Sequence, residues 1–401
     1  MAPRPDATPN RPPSRGAGGR ALRRALSVAL LVLGLGALGG CAGVGYYAQA
    51  VRGHLDLLAA ARPIDDWLAD PATPPALRQR LRLAQAMRAF AVEALALPDN
   101  ASYHRYADLH RPYAVWNLVA APPDSLTLKT WCFPVVGCVG YRGYFAEADA
   151  QQEARTVAAE GLEVDVYGVP AYSTLGRLNW LGGDPLLSTF ALGHEGDLAR
   201  LMFHELAHQV LYVEGDTAFN ESFASAVERA GVARWLAAHG SEAARASWAR
   251  AQAQREAFAA LTRATRADLA AVFEENTRNP SANRSVVAMK NEVMATFRQR
   301  YAALKAGWRD PAARWDGYDA WVAKANNASF GALGAYDDLR PGFEALLARE
   351  GGGATPAQWR SFYDAVRRLA ALPQGERHAA LKALAAAPKE SESHVHHPHS
   401  P

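Results

Sequence analysis

The chain has 401 residues, 49% of them hydrophobic and 21% charged. That balance excludes a disordered, collagenous or coiled-coil protein, and the length supplies a sizeable core. Of the 43 basic and 40 acidic residues, six arginines and one acid fall in the first forty positions, so the net charge of +3 belongs to the leader. The rest is close to neutral and gives no electrostatic ground for nucleic acid as a partner.

Residues 1–40 read as an export signal. An arginine-bearing segment ends at Arg24, an apolar stretch runs from Ala25 through Leu38, and Leu38-Gly39-Gly40-Cys41 closes it. Small residues followed by cysteine resemble a lipoprotein cleavage site, with Cys41 as the acylated new N-terminus. The other reading is an uncleaved anchor, since apolar residues continue to Val51. Either way the remainder is expected outside the cytoplasm, attached to a membrane. Ala42 is not the aspartate of inner-membrane retention, so an outer-membrane anchor facing the periplasm is expected. In that oxidising space Cys132 and Cys138 are expected to form a disulfide, the alternative being two buried thiols.

Residues 41–125 are expected to be an N-terminal helical region, helical as far as position 120, with prolines at 71, 74, 75 and 98 as punctuation. From Leu126 to Phe190, Gly, Pro, Tyr and β-branched residues rise. Glu163-Val164-Asp165-Val166-Tyr167 alternates as a half-buried strand does. Residues 126–240 then form the catalytic core. Asp197 is the expected cap of a helix from Leu198 to Val213 ended by Gly215, and a second helix runs from Phe219 to Ala238. Residues 241–385 form a C-terminal helical region, and 386–401 a disordered tail with four histidines. The expected fold class is mostly α with a small mixed α/β, zincin-like core (α+β).

The chemistry sits in Leu201-Met202-Phe203-His204-Glu205-Leu206-Ala207-His208-Gln209-Val210. Residues four apart share a helix face, so His204 and His208 can aim at one ion, with Glu205 beside them as base and then acid. Three protein ligands on Zn²⁺ leave a position for water. Glu221 is the expected third ligand, returned by an antiparallel helix hairpin. Glu228 is the alternative, as a ligand or as the group that orients a histidine; Glu214 and Asp216 sit in the turn, less well placed. Tyr172 is the candidate donor to a developing oxyanion, with His194, Tyr212 and Tyr336 as rivals. Glu163–Leu175 is the expected edge for pairing with a peptide substrate. Asn326-Asn327 would bind peptide backbone or, more simply, cap a helix. The histidine tail could recruit zinc or be a solvated tail with adventitious affinity.

At this point the chain resembles a family of bacterial lipoproteins described as predicted zinc-dependent aminopeptidases. The residues that carry the likeness are the cleavage site at Cys41, Trp131-Cys132-Phe133-Pro134 with Cys138, Tyr141–Phe145 and Val169–Gly176. His204–Gln209, Phe219–Ala224 and Asn326-Asn327-Ala328 complete them. The likeness spans most of residues 38–350. It implies a gluzincin-type metallopeptidase. The short interval from His208 to Glu221 and the lack of a Gly-x-Met-Glu-Asn segment are departures from the well-known gluzincin aminopeptidases. They leave exopeptidase and endopeptidase both open. The expected function is a zinc-dependent peptidase, an aminopeptidase, acting in the cell envelope; the alternative is a non-catalytic zinc-containing lipoprotein that binds peptides.

Overall fold

The computed structural model describes residues 41–133, 137–176, 179–279, 285–308, 316–337 and 339–387. The cleavage site before Cys41 and the histidine tail lie outside them. Two units separate after Leu55: the first holds the start of helix α1 (Cys41–Ala60), and the second begins at Asp56. No described helix is long and apolar enough to cross a membrane.

The second unit is mostly helical. Short strand β1 (Ala61–Pro63) leads into α2 (Ile64–Ala69) and α3 (Pro75–Glu93), which starts with proline at its first turn, where no amide hydrogen bond is lost. Strands β2 (Arg105–Ala107) and β3 (Val115–Ala121) follow. The helical expectation to position 120 is therefore corrected. Every residue of β3 is buried, so Val-Trp-Asn-Leu-Val-Ala-Ala carries no period-two signature and looks like helix core.

Hairpin strands β4 (Trp131–Phe133) and β5 (Gly137–Val139) are joined by the Cys132–Cys138 disulfide. Then come β6 (Arg142–Tyr144), α4 (Glu147–Ala159) and β7 (Glu163–Val169). Strand β3 lies between β6 and β7, antiparallel to both. Strand β8 (Leu186–Leu187) completes a second small sheet in the order β1-β2-β8, and α5 (Ser188–Ala191) follows it.

The central pair is α6 (Glu195–Val210) and α7 (Thr217–His239). The main core runs through both: Leu198, Phe203 and Leu206 of α6 meet Phe219, Phe223 and Trp235 of α7, with Met87 of α3. Two expectations about α6 are corrected. It starts three residues earlier, with His194 at the cap position and no side-chain cap, while Asp197 pairs with Arg255 at 3.0 Å. It also ends at Val210, before Gly215. Helix α7 is capped by Asp216, whose carboxylate accepts the Phe219 N–H.

Long helices α8 (Glu242–Arg278) and α9 (Val286–Ala306) form a satellite core with α10 (Asp316–Lys324) around Phe258, Phe297 and Phe330. Helix α11 (Asn327–Asp337) lies on the β3–β7 sheet. Helices α12 (Arg340–Arg349), α13 (Pro356–Ala370) and α14 (Gln374–Ala386) close over α7, with Phe343 and Phe362 in the main core.

Candidate active site

Helical spacing puts His204 and His208 one turn apart on α6. Their rings meet edge-on, centroids 4.8 Å apart, with the two Nε2 atoms 3.2 Å from each other. The chain then reverses through residues 211–216. Asn220, 1% exposed, clamps that turn: its side-chain amide donates to the Val213 carbonyl and its oxygen accepts the Val213 N–H. Asp216 is held from outside by His378, at 2.9 Å. With the turn fixed at both ends, the next residue, Glu221, points back across the hairpin. Its Oε2 lies 3.2 Å from His204 Nε2 and 3.8 Å from His208 Nε2.

These ligand atoms lie within 4.8 Å of one another. Groups bound to a tetrahedral ion at about 2.0–2.1 Å are themselves about 3.3 Å apart, so the donor set fits a divalent cation. The electrostatics agree. Three buried atoms with lone pairs face one point, which only protons or a cation can reconcile. Burial pushes the His204 imidazole down, but hydrogen bonds to Glu221 and Glu228 outweigh it and raise the pKa to about 10. Burial likewise pushes Glu221 up, and His208 and His204 together hold it well below the usual carboxylate range. A proton held on His204 would stand in for the cation in the metal-free protein.

The orientation of His204 has its own support. Its other ring nitrogen, Nδ1, is 3.0 Å from Glu228 Oε2, and Arg200 stands 3.5 Å from the same oxygen. Glu228 thus stands where a group that orients His204 would, and Glu221 where a ligand would. Burial pushes Glu228 up, but Arg200 and His204 keep it low and ionised. Glu205 is different. Burial raises its carboxyl against the pull of His204 and His208, and among the described residues no hydrogen bond engages it. A half-buried acid with free oxygens beside three converging ligands suits proton transfer.

The four aromatic and histidine candidates are scattered. Tyr172 packs its ring on Phe145 at 5.1 Å, at the margin of the main core. His194 sits at the far end of α6, about 15 Å along the axis from His204. Tyr212 has its ring 6.0 Å from that of His208. The side chain of Tyr336 lies outside the described residues. A further phenol, Tyr141, feels the same acids: burial raises it far above the ordinary range, and the charges of Glu221 and Glu205 add to the shift. It stays neutral, a donor at every working pH.

The disulfide hairpin reaches the same place. Gly137, with φ of +75°, lies so close to the α6–α7 turn that a Cβ there would stand 2.8 Å from Glu214 Cγ and 3.2 Å from the Gly215 nitrogen. The chain leaving this hairpin carries Tyr141. One short loop therefore touches the turn between the histidines and Glu221, and delivers the phenol.

The expected peptide-pairing edge is largely closed. Strand β7 ends at Val169, and the Val169 carbonyl accepts from Ala114 N, so even-numbered residues face outward. Of those, Val164 and Val166 give their carbonyls to Asn326 Nδ2 (2.9 Å) and Lys324 Nζ (2.7 Å). Asn326 also accepts the Ser329 N–H at 3.2 Å, the capping role.

Residues 45–381 match the family described as "Putative aminopeptidase". The chain belongs to that family. No curated protein and no solved structure matches it. The family segment takes in His204, Glu205, His208, Glu221 and Glu228, as well as Tyr141 and the disulfide; it begins after Cys41 and ends before the histidine tail.

In this aminopeptidase-family chain, sequence reasoning passed over Tyr141 as a donor. The phenol sits in the link between β5 and β6, far along the chain from the helix, and only the placement of the disulfide hairpin brings it in. Its one signal was membership in the Tyr141–Phe145 stretch of the resemblance.

Proposed function

We propose that the protein is a zinc-dependent peptidase, an aminopeptidase of the cell envelope, with a zincin-like core built from α6, α7 and the β6-β3-β7 sheet. One observation carries the reading: His204 Nε2, His208 Nε2 and Glu221 Oε2 converge beside an unengaged Glu205 carboxyl. When bound, a zinc ion supplies Lewis-acid chemistry, polarising the scissile carbonyl and acidifying a water. Glu205 takes the proton of the attacking water and returns it to the leaving amine. Tyr141 donates a hydrogen bond to the carbonyl oxygen as it gains negative charge. Glu228 holds the His204 ring in the tautomer that leaves Nε2 free for the ion.

Removal of single N-terminal residues, rather than internal cutting, rests on the family match alone. Export and attachment through an acylated Cys41 rest on the leader's pattern. The test is digestion of a mixed peptide library by the zinc-loaded protein, read by mass spectrometry. Loss of single N-terminal residues is expected. Internal cuts overturn the aminopeptidase part, and no cleavage overturns the peptidase reading.

A further inference from the structure

A cavity of about 550 Å³ opens beside the outer edge of β7, between that strand and helices α10 and α11. This is the size of an ordinary ligand pocket. Four rings line it: Tyr113, Trp116, Tyr167 and Trp321. Its charges are nearly spent internally. Asp165 pairs with Lys324 at 2.6 Å and accepts the Ser329 hydroxyl at 2.8 Å. Glu147, exposed on the rim, is the one lining charge with no ion pair among the described residues.

Two features connect this cavity to the candidate active site. Tyr167 lines it, yet the same phenol is hydrogen-bonded to Asn117 and lies within electrostatic reach of Glu221. Tyr167 also packs in one small cluster with Tyr141, the phenol that follows the hairpin resting on the Glu214–Gly215 turn. The second feature is Gly168, the outward-facing residue after the two whose carbonyls are capped. A Cβ there would stand 2.1 Å from Tyr113 Cδ2, so the missing side chain lets the Tyr113 ring lie on the strand and wall the cavity. The cavity thus faces Val166, its cap Lys324 and the bare Gly168 along the edge.

We infer that this cavity receives a large apolar side chain, aromatic or long aliphatic, of the peptide whose bond is cut at the His204–His208–Glu221 site. The inference rests on the peptidase reading. Contact with the aromatic lining and removal of apolar surface from water favour Phe or Leu over Ala. The unpaired Glu147 on the rim disfavours Asp or Glu.

Ala320 offers the test, because it lines the cavity from the exposed side of α10, so Ala320→Trp adds bulk without entering a core. The full-length zinc-loaded protein is given peptides whose residues flanking the cleaved bond vary through Phe, Leu, Ala and Asp. At one flanking position kcat/KM should be about ten- to a hundredfold higher for Phe than for Ala, and Ala320→Trp should cut that ratio about tenfold. Saturation-transfer NMR with phenylalanine amide and glycine amide on the metal-free protein gives a readout without turnover: Phe amide should bind, and Ala320→Trp should abolish it. Hydrolysis whose Phe preference ignores Ala320 overturns the cavity and leaves the peptidase reading standing. Ala320-dependent binding with no hydrolysis of any peptide keeps the cavity and overturns the peptidase reading. Neither binding nor hydrolysis overturns both.

Discussion

Glu228 Oε2 stands 3.0 Å from Nδ1 of His204, while the opposite nitrogen of the same ring points at Glu221 and His208. A carboxylate in that position fixes which nitrogen carries the proton and makes the ring a better ligand. Glu228→Gln should therefore weaken zinc binding about 10- to 100-fold without unfolding the protein. Competition with a chelator of known affinity measures this. An unchanged affinity would show that Glu228 merely pairs with Arg200.

Two phenols give a direct comparison. Tyr141→Phe should lower kcat about 100-fold or more with zinc content unchanged, as expected for loss of one oxyanion donor. Tyr172→Phe, at a ring that packs on Phe145, should cost far less. Equal effects, or a larger one at Tyr172, would move the donor role back to Tyr172.

The metal-free protein has a defined pH dependence. His204 titrates near 10 when folded, against about 6.5 in an unfolded chain. Its raised value means that the stabilisation is complete below pH 6.5 and is lost as pH rises through 10. Glu221 and Glu228 are lowered, so their stabilisation is present above about pH 4.5 and falls away under more acid conditions. The apo protein should be most stable between about pH 4.5 and 6.5. Zinc must displace the His204 proton, so its apparent affinity should rise with pH from 6.5 towards 10. Thermal melts with and without chelator, taken across pH, check both slopes; an apo stability that rises from pH 7 to 10 contradicts the cluster's electrostatics.

The disulfide should matter for stability and for turnover. Closing so short a loop restricts the unfolded chain by about 2 kcal/mol in the chain-entropy account. Cys132→Ser with Cys138→Ser should lower stability by roughly that amount. It should also lower kcat, because the hairpin rests on the Glu214–Gly215 turn and leads into Tyr141. Denaturant unfolding and steady-state kinetics on the double variant measure the two effects. Unchanged kcat would mean that the hairpin stabilises the chain without supporting the site.

Much of the candidate site was legible because its parts are local. His204 and His208 are one helical turn apart, and Glu221 follows through a turn short enough to force a hairpin. Glu228 was legible only as one of two options, since choosing between ligand and orienting group needs the register that Asn220 and Asp216 set. The strand Val115–Ala121 was not legible: burial on both faces erases the alternation that marks a strand. The closure of β7 was hidden too. Its caps, Lys324 at the end of α10 and Asn326 just before α11, lie more than 150 positions later in the chain, and nothing local in Glu163–Val169 announces them. Tyr141 belongs to the same class of long-range placements.

The most direct test is Glu205→Gln, which keeps size and shape but removes the base. Zinc content and peptide cleavage should be measured on the wild type, on Glu205→Gln and on His208→Ala. The last variant subtracts any ion held by the histidine tail. The account predicts wild-type zinc in Glu205→Gln with cleavage below a few per cent, and loss of both site zinc and cleavage in His208→Ala. Substantial cleavage by Glu205→Gln, or site zinc retained by His208→Ala, would contradict it.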